Sequence, residues 1–126
     1  MTHHPVSDPD RYQDNDTIFG KILRGEIPAD VVHEDEHCLA FRDIDPQAPV
    51  HIVIIPKRHI AKLSDADIED RVLLGHLLHV ASRIAESEGL EGQFRININN
   101  GEKAGQLVFH LHVHLLGGRD FGWPPG

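Results

Sequence analysis

Residues 110–116 read HLHVHLL, so that His110, His112 and His114 alternate with Leu111, Val113 and Leu115. Strict period-two polarity is the mark of a β-strand, which sends residues i, i+2 and i+4 to one face. The spacing predicts three imidazoles in a row, neighbours standing about 7 Å apart along the strand. The aliphatic side chains turn the other way, into a core. Imidazole is the side chain whose ordinary pKa leaves it partly neutral near physiological pH. Such a file can hold a metal, pass protons, or offer a nucleophile with an acid beside it.

The flanks of this stretch predict the rest of the fold. Upstream lies the Gly-containing loop NNGEKAGQ (99–106), and before it Phe94 to Asn99 alternates again, with Phe94, Ile96 and Ile98 on one face. Further back, Ile68, Val72, Leu73, Leu77, Val80, Ala81 and Ile84 recur at helical spacing, which predicts a long helix from about Ala66 to Glu88. Ser64 would cap it and Gly89 would close it. His51 to Ile55 reads as an apolar strand ending at Pro56, and DIDPQAP (43–49) as a turn in which Pro46 and Pro49 forbid ladder pairing. Val31–Val32 and Leu39–Phe41 flank the polar HEDEH and predict a hairpin. A short helix is expected from about Thr17 to Arg24, capped by Asp16 and stopped at Gly25. The order of elements predicts an α+β fold: one antiparallel sheet of about five strands with one short and one long helix, the helices on one face.

Composition narrows the setting. The chain has 126 residues and 40% hydrophobic content, which suits one domain with its own core. Residues 1–14 are polar, contain proline and lack an apolar core of the signal-peptide kind. They are expected to be a disordered lead-in to a domain over 15–126. No apolar run approaches the roughly 20 residues a membrane helix needs. The single Cys38 cannot form an internal disulfide, which predicts a reducing, cytoplasmic setting. A net charge of -8 disfavours a nucleic-acid partner. It leaves room for a small anionic ligand held by a few local donors. Several of the eleven histidines look incidental: His3 and His4 fall in the lead-in, and His76 and His79 on the long helix are expected to be solvated.

Three chemistries fit the histidine file. A His-x-His pair on a strand can chelate zinc, but a straight strand splays three imidazoles and the motif offers no Cys or carboxylate. A half-exposed strand with chance histidines is the plainest alternative. The third is nucleophilic and acid–base catalysis. One imidazole, its tautomer fixed by a bond to its other nitrogen, attacks phosphorus while a second protonates the leaving group. The glycines of the 99–106 loop permit close backbone approach to an anion such as phosphate.

HLHVHLL fits the His-φ-His-φ-His-φ-φ signature of the histidine triad superfamily. The likeness extends to DTIFGKILRGEIPA, CLAFRDIDPQAPVHIVIIPKRHI, LLGHLL, GQLVFHLHVHLLGGR and the terminal WPPG, all of which resemble the Hint branch, the purine nucleoside phosphoramidases. The resemblance spans about residues 15–126. It implies a homodimer whose sheets join into one larger sheet. It implies hydrolysis of purine nucleoside 5′-phosphoramidates and acyl-adenylates through a nucleotidyl-histidine intermediate, with no metal and no other cofactor. A dinucleoside polyphosphate hydrolase of the same superfamily and a non-catalytic nucleotide-binding scaffold are the rival functions. By position, the resemblance makes His112 the nucleophile, places His114 at the phosphate and leaving group, and gives His110 and His51 supporting hydrogen bonds. It assigns Asp43 to the ribose hydroxyls, and Asn99 with the backbone amides of Gly105, Gln106 and Leu107 to the phosphate. Ile18, Phe19, Ile22, Phe41 and Val53 would wall the purine base of the bound nucleoside monophosphate, and Trp123 would reach toward the partner's site.

Two features depart from that pattern. Close phosphoramidases usually carry Ser where this chain has Leu107, which removes a hydroxyl from the phosphate pocket. Some members carry a zinc-binding Cys-x-x-Cys near the first helix; here the stretch is Thr17-Ile18-Phe19-Gly20.

Overall fold

In the computed structural model, which describes residues 15–126, five strands pair antiparallel in the order β1-β2-β3-β5-β4. They are β1 (Val31–Glu34), β2 (Cys38–Arg42), β3 (Val50–Pro56), β4 (Phe94–Asn97) and β5 (Val113–Gly117). The expected lead-in over 1–14, with His3 and His4, lies outside the described residues. The predicted hairpin is β1–β2, and the long connection from Ile98 to His112 returns the chain so that β5 lies between β3 and β4.

Each face of the sheet carries its own core. Cys38, Ala40, Ile52, Ile54, Val113 and Leu115 point to one side and pack under the long helix α2 (Arg71–Ser87), against Leu77, Val80, Ala81 and Ile84. Leu39, Phe41, Val53 and Ile55 point to the other side and pack under the short helix α1 (Ile18–Leu23), against Phe19, Ile22 and Leu23. The two helices therefore cover opposite faces, not one face as the element order suggested. The continuous apolar runs of β2 and β3 are the physical reason: a strand buried on both sides has no polar face to give to water.

The caps also differ from expectation. Thr17, not Asp16, caps α1, and its hydroxyl accepts from the Gly20 N–H at 3.0 Å. Ser64 caps nothing; it lies in a 3-10 turn (Leu63–Asp65). A second turn (Ile68–Asp70) leads into α2, with Asp67 and Asp70 forming a reciprocal capping box. Only one histidine of the file lies within a strand. The ladder begins at Val113, because Leu111 gives its N–H to Ile60 O at 2.7 Å instead of to β3. No helix among the described residues is long and apolar enough to cross a membrane.

Candidate active site

His110 is fully buried and fixed at both ring nitrogens. The Asn15 side-chain amide donates to its Nδ1 at 2.7 Å, so its proton sits on Nε2 and is donated to Pro56 O at 2.8 Å. Asn15 is itself held by Thr17, whose N–H and hydroxyl both donate to its Oδ1, at 3.2 and 2.6 Å. The N-cap of α1 thereby extends to the histidine file. Burial, above all, pushes the His110 imidazole down to about 4. The ring of His59 stacks on it at 5.2 Å and donates from Nε2 to Phe109 O at 3.0 Å.

His112 is oriented by the backbone. Its Nδ1–H donates to the His110 carbonyl at 2.8 Å, which leaves the lone pair on Nε2. Phe19 packs edge-on against the ring at 5.0 Å. Burial lowers its pKa, more than the bond to His110 raises it, so the ring is neutral at pH 7.

His114 has the opposite tautomer, and the cause lies two groups away. The Gln47 backbone N–H donates to His51 Nδ1 at 3.0 Å, so His51 carries its proton on Nε2. That N–H donates to His114 Nδ1 at 2.9 Å, so His114 carries its own proton on Nε2. Burial and the neighbouring imidazoles push His114 down to about 4, and burial lowers His51. The rings of His112 and His114 lie 4.9 Å apart and nearly perpendicular, one with a free Nε2 lone pair and the other with an Nε2–H.

Both rings line a cleft of about 410 Å³. Ile18, Phe19, Ile22, Phe41 and Val53 wall it with apolar surface, while Asp43 and Asn99 bring polar groups to its rim. Asp43 also closes the following turn, its Oδ1 accepting from Asp45 N at 2.8 Å while Oδ2 lies 3.5 Å from His51 Nε2. Asn99 is steadied by Asn97, whose amide donates to its Oδ1 at 2.9 Å.

Other expected residues stand elsewhere. The Gln106 side chain is buried beneath the loop, bonded to Gly101 N, Ala61 O and Val108 O. Its amide is given to Gly101 O and that of Gly105 to Glu102 O, so neither is free for phosphate. Of the three amides expected there, only that of Leu107 has no protein partner among the described residues. Leu107 and Val108 lie at the mouth, the Leu107 side chain 87% exposed. Trp123 is 84% exposed and does not line the cleft of its own chain. Ile27, Pro28, Ala29, Ile44 and Val108 also line the cleft and were not foreseen. Asn15 was missed as well, since nothing in its neighbours points to a residue 95 positions on.

Three comparisons agree on the lineage. The HIT domain family matches residues 24–121. An uncharacterized HIT-like protein of Synechocystis sp. is 60% identical over 111 residues, covering 88% of this chain and 97% of that one. Among solved structures, a HIT family hydrolase from Legionella pneumophila is 53% identical with a TM-score of 0.84, covering 86% of this chain and 98% of that one. A histidine triad nucleotide-binding protein from Candida albicans is 33% identical with a TM-score of 0.73, covering 87% and 84%. The chain belongs to the HIT domain family of the histidine triad superfamily.

Proposed function

We propose that the chain is a purine nucleoside phosphoramidase of the Hint kind, cleaving the P–N bond of nucleoside 5′-phosphoramidates and the mixed anhydride of acyl-adenylates. One observation carries the reading: His112, with an Nε2 lone pair, and His114, with an Nε2–H, line one cleft with their rings 4.9 Å apart. The His112 nitrogen attacks phosphorus, and His114, which takes a second proton from solvent once the anionic substrate is bound, gives its Nε2 proton to the departing amine and returns to the neutral form. A nucleotidyl–His112 intermediate results. Water then attacks the same phosphorus, giving its proton to the vacated His114 Nε2, and the P–N bond to His112 breaks to release the nucleoside monophosphate. Splitting the reaction this way replaces one difficult displacement with two easier ones.

The supporting parts fit that chemistry. The apolar walls suit a flat base, and a carboxylate at Asp43 suits a vicinal diol, since it offers acceptors and no donor. The cleft volume lies within the range of small-molecule sites. The donor set argues against metal catalysis here. Asp43, His51 and His114 come close enough to share an ion, but Gln47 N–H occupies His51 Nδ1 and forces the proton onto Nε2. An ion at Nε2 would need that proton moved to a nitrogen already facing a donor. We further propose a cytoplasmic homodimer in which Trp123 reaches the partner's site; the unpaired edge of β4 and the exposed Leu78 on α2 are surfaces a second copy could cover.

The test is hydrolysis of a fluorogenic adenosine phosphoramidate with and without chelator, set beside a diadenosine polyphosphate. Turnover of the phosphoramidate that survives chelation and falls by several orders of magnitude in His112→Ala is the expected result. Faster turnover of the polyphosphate, or a tenth of the rate left in His112→Ala, would overturn it.

A further inference from the structure

A second cluster of metal-ligating side chains lies on the other face of the sheet, under α2. At its centre is the Asp35 carboxylate, in the β1–β2 turn. Its Oδ2 receives His33 Nε2–H at 2.8 Å, His76 Nε2–H at 2.8 Å and the Cys38 thiol at 3.4 Å. Its Oδ1 is held by the backbone N–H groups of His37 and Cys38, at 2.7 and 2.9 Å. His76 is therefore not the solvated helix residue that its position suggested. His37 covers the cluster edge-on, its ring 5.6 Å from that of His76.

A kink in β1 makes this convergence possible. Val31 pairs with Phe41, but His33 pairs with Ala40, so Val32 is an extra residue in the strand. Cross-strand partners share a face, and Ala40 faces α2. Without the bulge, His33 would oppose Leu39 and point to the α1 side; with it, the imidazole turns toward His76.

We propose that His33, Asp35, Cys38 and His76 form a structural binding site for one zinc ion. Two imidazoles, a thiolate and a carboxylate are a borderline-soft donor set of the kind zinc prefers. Their charges cancel it: the thiolate and carboxylate together carry two negative charges, and the imidazoles are neutral. The thiol proton leaves to solvent as the ion enters, and the imidazole protons move to Nδ1. A tetrahedral ion with nitrogen and oxygen at about 2.0–2.2 Å and sulfur at about 2.3 Å separates its donors by about 3.3–3.6 Å. His33, Asp35 and Cys38 already place one donor atom each within 4.8 Å of one another. His76 stands outside that trio, 2.8 Å from Asp35 Oδ2, and its imidazole closes on the other donors to complete the tetrahedron. The Oδ1 bonds hold the carboxylate with Oδ2 turned inward, the outer support that a metal ligand needs. His33 and His76 are about a third exposed and give an entry path, while Cys38 is buried. An ion there would pin α2 to the hairpin without touching the catalytic face.

Cobalt(II) is the probe, titrated into the full-length protein. The expected result is one equivalent bound, with the near-ultraviolet sulfur-to-cobalt absorption and tetrahedral ligand-field bands, all bleached by zinc. Cys38→Ser should abolish the sulfur band, and His76→Gln should weaken uptake at least tenfold, while His112→Ala leaves both intact. Zinc should raise the Tm of the wild type but not of His76→Gln, a position about a third exposed that keeps the test valid if Cys38→Ser fails to fold. Phosphoramidate turnover should be unchanged in His76→Gln. Failure of cobalt to bind, binding without a sulfur band, or a band lost in His112→Ala and retained in His76→Gln would overturn the proposal. None of these outcomes depends on which substrate the catalytic face accepts.

Discussion

Replacing His110 with Gln should flatten the acid limb of the stability curve. His110 is selected in its neutral form, because Asn15 donates to Nδ1 and the carbonyl of Pro56 takes the proton of Nε2. A second proton at Nδ1 would face the Asn15 N–H inside a dry core. Burial holds the folded pKa at about 4 against an ordinary 6.5. The unfolded chain then binds the proton first, so the contribution of neutral His110 is fully present above pH 6.5. It is lost as pH falls through about 4. A drop of that size corresponds to about 3 kcal/mol, of which about 2 kcal/mol has gone by pH 5. Urea unfolding of wild type and His110→Gln at pH 7.5, 6, 5 and 4.5 measures it. Gln has no titration in this range and can still accept from Asn15 and donate to Pro56 O. The other lowered imidazoles steepen both curves alike, so the difference between the two proteins isolates His110. Parallel curves, or a wild type that gains stability toward pH 5, would refute the assignment of a neutral, doubly fixed His110.

Other outcomes follow from the same geometry. His51→Ala removes the N–H that sets the His114 tautomer, so kcat should fall by at least tenfold for an amine leaving group and much less for a nitrophenol; equal losses on both would remove His114 from the acid role. Leu107→Ser returns a hydroxyl to the mouth of the cleft beside a free amide. If it bonds in the transition state, worth about 1.5 kcal/mol or more, kcat should rise about tenfold; unchanged kcat and KM would place the side chain outside the phosphate site. Gly20→Ala puts a methyl into the Asn15 backbone and side chain, and should cost about 2 kcal/mol or more with a parallel loss of activity, read by urea unfolding and turnover.

Much of this arrangement is legible in the sequence. The apolar run of β3, the alternation in β4, the helical spacing along α2 and the turn at Pro46 and Pro49 each have a local cause, and the structure follows them. What could not be read locally is long-range. Nothing near Asn15 announces a bond to His110, and nothing near Asp35 announces His76, since each pair is joined only once the sheet has formed. The exchange of Ser64 for the Asp67–Asp70 box was ambiguous by composition, as three capping residues compete within four positions. The expected phosphate amides went astray for a related reason. A glycine-rich loop can turn its N–H groups outward or close on itself, and here Gly105 and Gln106 close it.

The departure of HLHVHLL from a regular strand is what turns the motif into a candidate catalyst. In an ideal strand the imidazoles would stand about 7 Å apart and parallel, too far for two of them to serve one phosphorus atom. Here the ladder stops at Val113, and Leu111 bonds instead to Ile60. The backbone before Val113 is then free to bring the His112 ring to 4.9 Å from that of His114 and to offer the His110 carbonyl to His112 Nδ1. His110 withdraws into the core, where Asn15 and Pro56 hold it. On the proposed mechanism the three histidines are thus divided by backbone geometry into an anchor, a nucleophile and an acid. The division does not come from differences in the side chains, which are identical. The tautomers complete it: one backbone carbonyl sets His112, and one backbone N–H, at Gln47, sets His114 through His51. Both settings survive any side-chain change at positions 47 and 110 that keeps the backbone in place, so the polarity of the pair is a property of the fold.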